Sequence, residues 1–360
     1  MKLGAARASA VTLRFARPVR TALGLFDERS SVILELRDVD GVAGFGEAAP
    51  WPGFGTETAA ESLDVLHRAQ PLLCTEDLEP AQWPARVASH FASAPAASAA
   101  LAGALWDLAA RRAGQPLAAL LAQCGGPLCG PVLASVPASA LLVERAAGAL
   151  REEAIRARVA GHLAVKIKLG AATLAEDVAR VAAARDGLGP DVALRGDANG
   201  AWNEREAREA MTALAPFLLA YVEQPLPIDA IDALARLRRE SPVRIAADES
   251  VCTPAGAERL LEAGAVDVLV LKPAMLGGAA LTLGIAARAR HAGCDVVFTH
   301  AFESAVGARH VLHCAAAWGD PAAVHGLATQ GLFVRDVAEA VACRGGRVEL
   351  APQAGLGIVL

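Results

Sequence analysis

Polar residues close a series of short apolar segments in the second half of the chain, and they recur at a nearly constant interval. The intervals are 29, 26, 25, 24 and 28 residues, and the residues are Lys168, Asp197, Glu223, Asp248, Lys272 and His300. One strand followed by one returning helix needs roughly this length of chain, about 25–30 residues. The spacing therefore predicts a parallel sheet in which strands and helices alternate.

The apolar segments have the length of strands, and the stretches between them have helical periodicity. We predict strands at 132–136, 164–169, 193–197, 220–223, 244–248, 266–272, 295–300 and 323–327. Predicted helices are 173–185, which opens with a Thr-x-x-Glu capping box, 204–218 and 254–263. Eight strands with intervening helices indicate a closed TIM-like α/β barrel, in which residues 139–160 form the first crossover.

The first 125 residues have a different order of elements. Predicted strands at 11–15, 31–36 and 42–47 precede predicted helices at 61–69, 84–92 and 97–113 and a short helix to Gln123. Strands followed by helices predict an α+β unit. A Gly-x-Gly pattern at 44–46 is not a dinucleotide site, because Pro-Trp-Pro-Gly at 50–53 cannot begin the required helix. The break at 124–127 sets domains of 1–125, 126–329 and 330–360.

Composition excludes several functional classes. No apolar stretch is long enough to span a membrane, and the N-terminus lacks a secretory signal pattern. The net charge of -5, with both signs intermixed, does not favour nucleic-acid binding. Seven scattered cysteines without a Cys-x-x-Cys pair predict reduced thiols in a cytoplasmic protein.

Three of the spaced polar residues are acidic: Asp197, Glu223 and Asp248. In a barrel the carboxyl ends of the strands meet at one rim, so these carboxylates are expected to lie together. Without a cation they would repel one another, and their oxygen ligands suit Mg²⁺, for which Mn²⁺ can substitute. Any one of them alone would also fit a helix N-cap.

Two lysines share one face of the predicted strand 164–169, because Lys166 and Lys168 are two residues apart. On an edge strand this face would simply be solvated. Inside a closed site, Lys166 would lower the pKa of Lys168 and make it a base. Lys272, on the opposite side of the barrel, would be a second acid/base or an anion-stabilising cation. A metal with these lysines predicts proton abstraction next to the carboxylate of a small-molecule substrate.

The motifs that carry these residues resemble the enolase superfamily, muconate-cycloisomerase subgroup. They are Lys166-Ile-Lys168, Asp197-Ala-Asn199, Glu223-Gln-Pro225, Asp248-Glu-Ser250 and Lys272-Pro273. The resemblance covers nearly the full chain. It implies a (β/α)7β TIM-like barrel with an α+β capping domain, built from residues 1–125 and the C-terminal segment after about residue 329.

Within the subgroup the chain is most similar to the o-succinylbenzoate synthases of menaquinone biosynthesis. The similar stretches are Gly-Glu-Ala-Ala-Pro-Trp-Pro-Gly-Phe from 46, Arg-Gly-Asp-Ala-Asn from 195 and Glu-Ser-Ala-Val-Gly from 303. This resemblance implies a cyclohexadiene carboxylate substrate bearing a hydroxyl group and a succinyl arm. Lys168 would take the proton next to the carboxylate, and loss of hydroxide would make the ring aromatic.

The same stretches supply candidate substrate-binding residues. Trp51 and Phe54 lie on a loop, 50–58, suited to covering a ligand, and Asn199 and Glu303 belong to the other two stretches. Small hydroxyl residues are common in the family where this chain has Thr299-His300. His300 would bind the succinyl carboxylate, mark a different substrate, or be a structural hydrogen-bonding residue at the rim. By contrast, His310 and His313 are expected to be ordinary helix residues.

The same lysines and carboxylates serve rival functions in the resembled subgroup, namely those of N-succinylamino-acid racemases, dipeptide epimerases and muconate cycloisomerases. N-succinylamino-acid racemisation needs the same proton abstraction and a similar pocket. Dipeptide epimerases have an Asp-x-Asp after strand eight, whereas residues 323–327 here read Ala-Val-His-Gly-Leu, which disfavours that activity. A non-catalytic barrel that binds a carboxylated ligand is the alternative outside enzymes. The oligomeric state is left open.

Overall fold

The computed structural model describes residues 2–21, 24–75, 82, 91, 93–124, 129–328 and 331–360. The predicted helix 84–92, apart from Phe91, and the two predicted domain boundaries lie outside these residues. In the described part of the chain, no helix is both long and apolar enough to cross a membrane.

The N-terminal part is an antiparallel sheet covered by helices. Its strands are β1 (Leu3–Thr21), β2 (Gly24–Asp38) and β3 (Ala43–Ala48), and its helices are α1 (Ala59–Thr75), α2 (Pro95–Arg112) and α3 (Leu117–Cys124). Apolar residues of β2 and α2 form one buried core. Helix α2 lies directly on β3, since a Cβ on Gly44 or Gly46 would fall within 2.4 Å of a helix carbonyl oxygen. The predicted α+β order is therefore present.

Seven parallel strands form the sheet of the second part, in the order of the chain. They are β5 (Ala140–Leu142), β6 (Ala164–Lys168), β7 (Ala193–Asp197), β8 (Leu219–Glu223), β9 (Ile245–Ala247), β10 (Val268–Leu271) and β11 (Asp295–Phe298). The sheet closes through His325-Gly326, because Gly326 pairs with Thr299 after β11 and His325 pairs with Ala138 before β5. The predicted (β/α)7β barrel is confirmed.

Helices follow the strands and cover the barrel. They are α4 (Ala147–Val159), α5 (Leu174–Leu188), α6 (Glu204–Leu214), α7 (Ile231–Glu240), α8 (Pro254–Glu262), α9 (Ala279–His291) and α10 (Ala305–Trp318). Thr173 caps α5 with the predicted capping box. The predicted helix 204–218 ends early, because Pro216 belongs to a separate 3-10 turn and β8 begins at Leu219.

One strand prediction is wrong, and another strand is shorter than predicted. The segment predicted at 132–136 forms β4 (Ser135–Pro137), which pairs antiparallel with β13 (Arg347–Glu349) outside the barrel, and the first barrel strand is Ala140–Leu142. The predicted strand 323–327 contributes only the two single bridges that close the barrel. Both regions are short apolar runs, and periodicity alone cannot say which run pairs in the sheet.

The C-terminal segment returns to the N-terminal part. After β12 (Cys343–Arg344) and β13, Leu356 N–H donates to Asp107 Oδ1 (2.7 Å) and Gly355 N–H donates to the carbonyl of Gln115 (2.9 Å). Two buried histidines of α10 also bind the cap. His310 Nε2 lies 2.9 Å from the carbonyl oxygen of Phe45, and His313 Nδ1 accepts from Ala118 N–H (3.0 Å). These histidines join the cap to the barrel.

His313 provides a test of this packing by pH. Burial lowers its pKa to about 3, so protons bind the unfolded chain before the folded one as pH falls below the ordinary value of 6.5. This part of the stability is therefore present above pH 6.5 and lost between about pH 6.5 and 3. The free energy of unfolding should fall between pH 7 and pH 5, and we expect this fall to be about 2 kcal/mol smaller in the His313→Asn variant. Urea unfolding of both proteins at pH 7 and pH 5 measures this fall. The same fall in both proteins would contradict a neutral buried imidazole at His313.

Candidate active site

The spaced polar residues meet at the carboxyl rim of the barrel. Strand register places Lys168 beside Asp197, and Asp197 beside Glu223. Asp248 directly follows β9, and Lys272 directly follows β10. Parallel neighbours in register present equivalent positions to the same face of a sheet, so these side chains share one face at one rim.

Each acidic side chain of the rim is paired with a lysine. Lys166 Nζ lies 2.8 Å from Asp197 Oδ2 and 2.9 Å from Glu223 Oε1, so this ammonium bridges two strands. Lys168 Nζ lies 2.7 Å from Asp197 Oδ2, and Lys272 Nζ contacts Asp248 Oδ1. The carboxylate repulsion expected from the sequence is thus already partly offset by ammonium groups.

The pKa values show which charges dominate. Burial raises the pKa of Asp197, but Lys166 and Lys168 outweigh it and leave this pKa well below its usual value. Burial and the charges of Asp197 and Asp248 raise the pKa of Glu223 to about 8. Burial lowers the pKa of Lys166, but the neighbouring carboxylates raise it far more. The predicted effect of Lys166 on Lys168 stays a prediction, whereas the ammonium of Lys166 is itself stabilised by two carboxylates within 2.9 Å of its nitrogen.

Two residues outside the predicted catalytic set position the charged groups. Asn199 accepts from Lys168 Nζ (2.7 Å) and donates to Glu249 Oε1 (2.9 Å). Gln224 accepts from the backbone N–H groups of Asp248 and Ser250, both at 3.1 Å. Both have positive φ, 46° for Asn199 and 39° for Gln224, a backbone strain that the surrounding contacts must maintain. In the sequence, Asn199 and Gln224 could be found by their position, two residues after Asp197 and one residue after Glu223.

The rim offers the carboxylate oxygens that a hard divalent cation prefers, although these side chains are turned toward lysines. The three predicted ligands are all carboxylates from successive strands, buried at 0–7% exposure. Glu249 Oε2 is also buried and has no hydrogen-bond partner among the described residues. Among the described residues, no group of three acidic, histidine or cysteine side chains is arranged to hold a metal ion. The three carboxylates of the rim point toward lysines instead. An oxygen-binding cation would have to compete with those ammonium groups.

The loop predicted to cover a ligand reaches the barrel rim. Trp51 is buried and donates its indole N–H to the carbonyl of Ala301 (2.8 Å), just after β11. Arg29 stacks over the Trp51 ring at 4.2 Å. The ring belongs to an apolar cluster with Met275 and Ala301, against which Phe26, Phe54, Cys252 and Phe302 pack. Of these residues, Cys252 lies near the charges of Lys272 and Asp248.

His300 and Glu303 have different environments. His300 is 9% exposed, and neither of its ring nitrogens has a hydrogen-bond partner among the described residues. Burial, with Lys272 and Lys166, lowers its pKa to about 4, so the ring is neutral at pH 7. Glu303 accepts from Ala301 N–H (2.6 Å) and lies among Glu47 and Arg29 of the cap; burial and Glu47 raise its pKa to about 7. Glu303 is therefore at the junction of cap and barrel.

Arg29 and Glu47 were missed by sequence reasoning. Arg29 is 5% exposed and donates to the carbonyls of Ala49 and Pro50, at the base of the covering loop. Glu47 is 4% exposed and binds the start of helix α10. Arg29 follows Asp27-Glu28 and resembles a solvated turn in the sequence, while Glu47 stands in a loop motif whose other residues drew the functional interpretation.

The chain matches two family descriptions over most of its length. Residues 5–122 match the mandelate racemase / muconate lactonizing enzyme N-terminal domain, and residues 149–360 match the enolase C-terminal domain-like family. The predicted resemblance is thereby confirmed.

Individual relatives have two different activities. The hydrophobic dipeptide epimerase of Enterococcus faecalis is 29% identical over 99% of both chains. The o-succinylbenzoate synthase of Mycolicibacterium smegmatis is 40% identical, but over 58% of this chain and 61% of the enzyme. The solved dipeptide epimerase of Enterococcus faecalis, complexed with Mg and the dipeptide L-Leu-L-Tyr, superposes with a TM-score of 0.90, 28% identity and full coverage of both chains.

These similarities extend across both domains and include the barrel that carries the lysines and carboxylates. The Enterococcus faecalis epimerase is similar over the full chain, whereas the higher identity to the synthase is confined to part of it. The chain belongs to the enolase superfamily, as a muconate-cycloisomerase-like enzyme of the mandelate racemase / muconate lactonizing enzyme group.

Proposed function

We propose that the chain is an o-succinylbenzoate synthase that uses Mg²⁺ to dehydrate 2-succinyl-6-hydroxy-2,4-cyclohexadiene-1-carboxylate to 2-succinylbenzoate. The observation that carries this choice is the eighth-strand position. His325 is fully buried there and accepts from Phe298 N–H (3.0 Å), and no acidic residue occurs in the sequence from 321 to 335. A dipeptide ammonium would have no carboxylate partner at this position.

The next acidic residue along the chain does not supply that partner. Asp336 accepts from the backbone N–H of Ala305 (3.0 Å) and caps helix α10. The buried cluster of Trp51, Met275 and Ala301 is apolar and suits contact with a flat ring. Both observations support a substrate without an ammonium group.

The chemistry is assigned to side chains that face one another across the rim. Bound Mg²⁺ would supply a fixed positive charge at Asp197, Glu223 and Asp248 for the substrate carboxylate. Lys168 Nζ removes the proton next to that carboxylate, and the C–O bond to the ring hydroxyl then breaks. The proton taken up by Lys168 and the hydroxide that leaves together make one water, and the ring becomes aromatic.

The remaining residues of the site are assigned supporting roles. Asn199 orients Lys168 through its contact at 2.7 Å. Lys166 and Lys272 contribute positive potential next to the developing anion. The neutral ring of His300 would donate one hydrogen bond to the succinyl arm, with Trp51 and Phe54 covering the ring.

Epimerisation of hydrophobic dipeptides is the second candidate. It is supported by the full-length similarity to the Enterococcus faecalis epimerase, and by lysines on opposite sides of the rim that could reprotonate either face. Racemisation of N-succinylamino acids needs the same two lysines.

Parallel assays separate these activities. We expect kcat/KM for dehydration of the cyclohexadiene carboxylate, followed by ultraviolet absorbance, to exceed by at least about 100-fold that for L-Leu-L-Tyr epimerisation or N-succinylamino-acid racemisation. A site built for one set of polar groups discriminates by roughly this factor or more. The Lys168→Ala variant is the control for every assay. Efficient epimerisation without detectable dehydration would overturn the synthase assignment.

A further inference from the structure

The start of helix α10 is bound by its own capping serine and by acceptors from two distant parts of the chain. Ser304 caps the helix with its own hydroxyl, which accepts from Val306 N–H (3.2 Å). Asp336 of the C-terminal segment accepts from Ala305 N–H (3.0 Å). Glu47 of the cap accepts from Ser304 N–H (3.0 Å) and Gly307 N–H (2.9 Å). Amide groups at a helix start attract carboxylates, so each acceptor binds this end firmly.

Glu47 fits closely against the helix. A Cβ on Gly307 would lie 2.9 Å from Glu47 Oε2 and 2.5 Å from Glu303 Cβ. The glycine is therefore required for the cap strand to approach the helix at this distance. The hydroxyl of Ser304 also donates to Glu47, which gives its carboxylate contacts with three donor groups.

The loop before the helix carries His300 and is held at a second point by the cap. The indole N–H of Trp51 donates to the carbonyl of Ala301, and the backbone N–H of Ala301 donates to the carboxylate of Glu303. Phe302 has φ of 60°, a left-handed conformation that costs about 1–2 kcal/mol for such a residue and persists only when its surroundings enforce it. The cap contacts at Glu47 and Trp51 lie on either side of this strained residue.

Two acidic residues and one arginine meet at the junction of cap and barrel. Glu47 and Glu303 lie near Arg29, whose hydrogen bonds hold the base of the covering loop. The same cluster therefore connects the covering loop, the strained loop and the helix. A shift of the cap strand would move Trp51 and His300 together.

We propose that Glu47 is a positioning residue that couples the capping domain to the loop 299–304. Through this coupling it fixes the positions of His300 and Trp51 relative to each other and to the substrate. Glu47 touches neither the predicted metal ligands nor the lysines in any hydrogen bond found among the described residues. This proposal rests on the proposed function in one respect, namely that the succinyl arm of the substrate binds at His300.

Hydrogen exchange tests the coupling without substrate. We expect Glu47→Gln to accelerate exchange of the amides in 299–304 by about 10-fold or more, since charge-assisted hydrogen bonds to backbone amides are lost. Asp336→Asn is the matched control, because it removes from the same helix start a carboxylate that comes from the C-terminal segment and not from the strand leading into the covering loop. We expect it to change exchange in 299–304 less than about twofold. Equal acceleration in both variants, or none in Glu47→Gln, would overturn the coupling.

A second variant covers the case in which Glu47→Gln does not fold. Trp51→Phe keeps a six-membered aromatic ring in the cluster and removes the pyrrole part of the indole, including the N–H that binds Ala301. It should accelerate the same amides, and unchanged exchange would contradict the second cap contact. With the dehydration substrate, Glu47→Gln should raise KM about 10-fold and change kcat less than about threefold, as expected for lost ground-state positioning. Because exchange needs no substrate, its outcome is independent of whether the synthase assignment holds.

Discussion

The Lys168→Ala variant is expected to lose exchange of the substrate α-proton with solvent deuterium, and to lower kcat by roughly 10²–10⁴-fold or more. The reason is geometric: Lys168 Nζ is held by Asn199 and Asp197 at the rim, and its side chain is 37% exposed toward the open end of the barrel. Nuclear magnetic resonance of the α-proton in deuterium oxide measures the exchange directly. Because Lys166 still pairs with Asp197, we expect little loss of thermal stability.

The Lys166→Ala variant is the matched control within the same strand. Lys166 bridges Asp197 and Glu223, both essentially buried, so its removal leaves buried carboxylates with less compensation. Unpairing a buried charge typically costs about 3–5 kcal/mol. This variant should therefore lose stability while keeping measurable α-proton exchange. If Lys168→Ala turned over almost normally, Lys272 or His300 would have to be the base.

Removing divalent cations is expected to abolish turnover, and added Mg²⁺ should restore it. Asp197, Glu223 and Asp248 are the proposed ligands, and all three are buried carboxylates. Binding of an ion at 100 times its dissociation constant stabilises the folded state by about 2.7 kcal/mol. Chelation should therefore lower the melting temperature by only a few degrees, because the lysine pairs remain. Calorimetry with and without chelator, alongside the activity assay, gives both quantities.

The Asp248→Asn variant is the control for the metal. It keeps the shape of the side chain but weakens the proposed ligand, so the Mg²⁺-dependent rise in melting temperature should shrink. Full activity after exhaustive chelation, verified by elemental analysis, would refute the metal assignment.

Periodicity in the sequence determines much of the rim. A two-residue period places Lys166 and Lys168 on one face, and a repeat of one strand and helix carries Asp197 and Glu223 to neighbouring strand ends. These are local properties of the chain, and the structure places the residues accordingly. The first barrel strand was misplaced because two apolar runs, 132–136 and 140–142, have the same local pattern, and only pairing with β13 removes the first from the barrel.

Long-range contacts decided what periodicity could not. Glu47 meets Ser304 across 257 residues of sequence, and Trp51 meets Ala301 across 250. Burial beside lysines lowers the pKa of His300 and leaves its ring neutral, and the neighbouring carboxylates raise the pKa of Lys166 despite its burial. Protonation depends on which charges and how much water surround a group after folding. The sequence alone thus determined the barrel and the strand ends that carry the chemistry. The tertiary structure decided the lysine–carboxylate pairing and the attachment of the cap to the barrel. Both depend on distances between residues that are far apart in the chain.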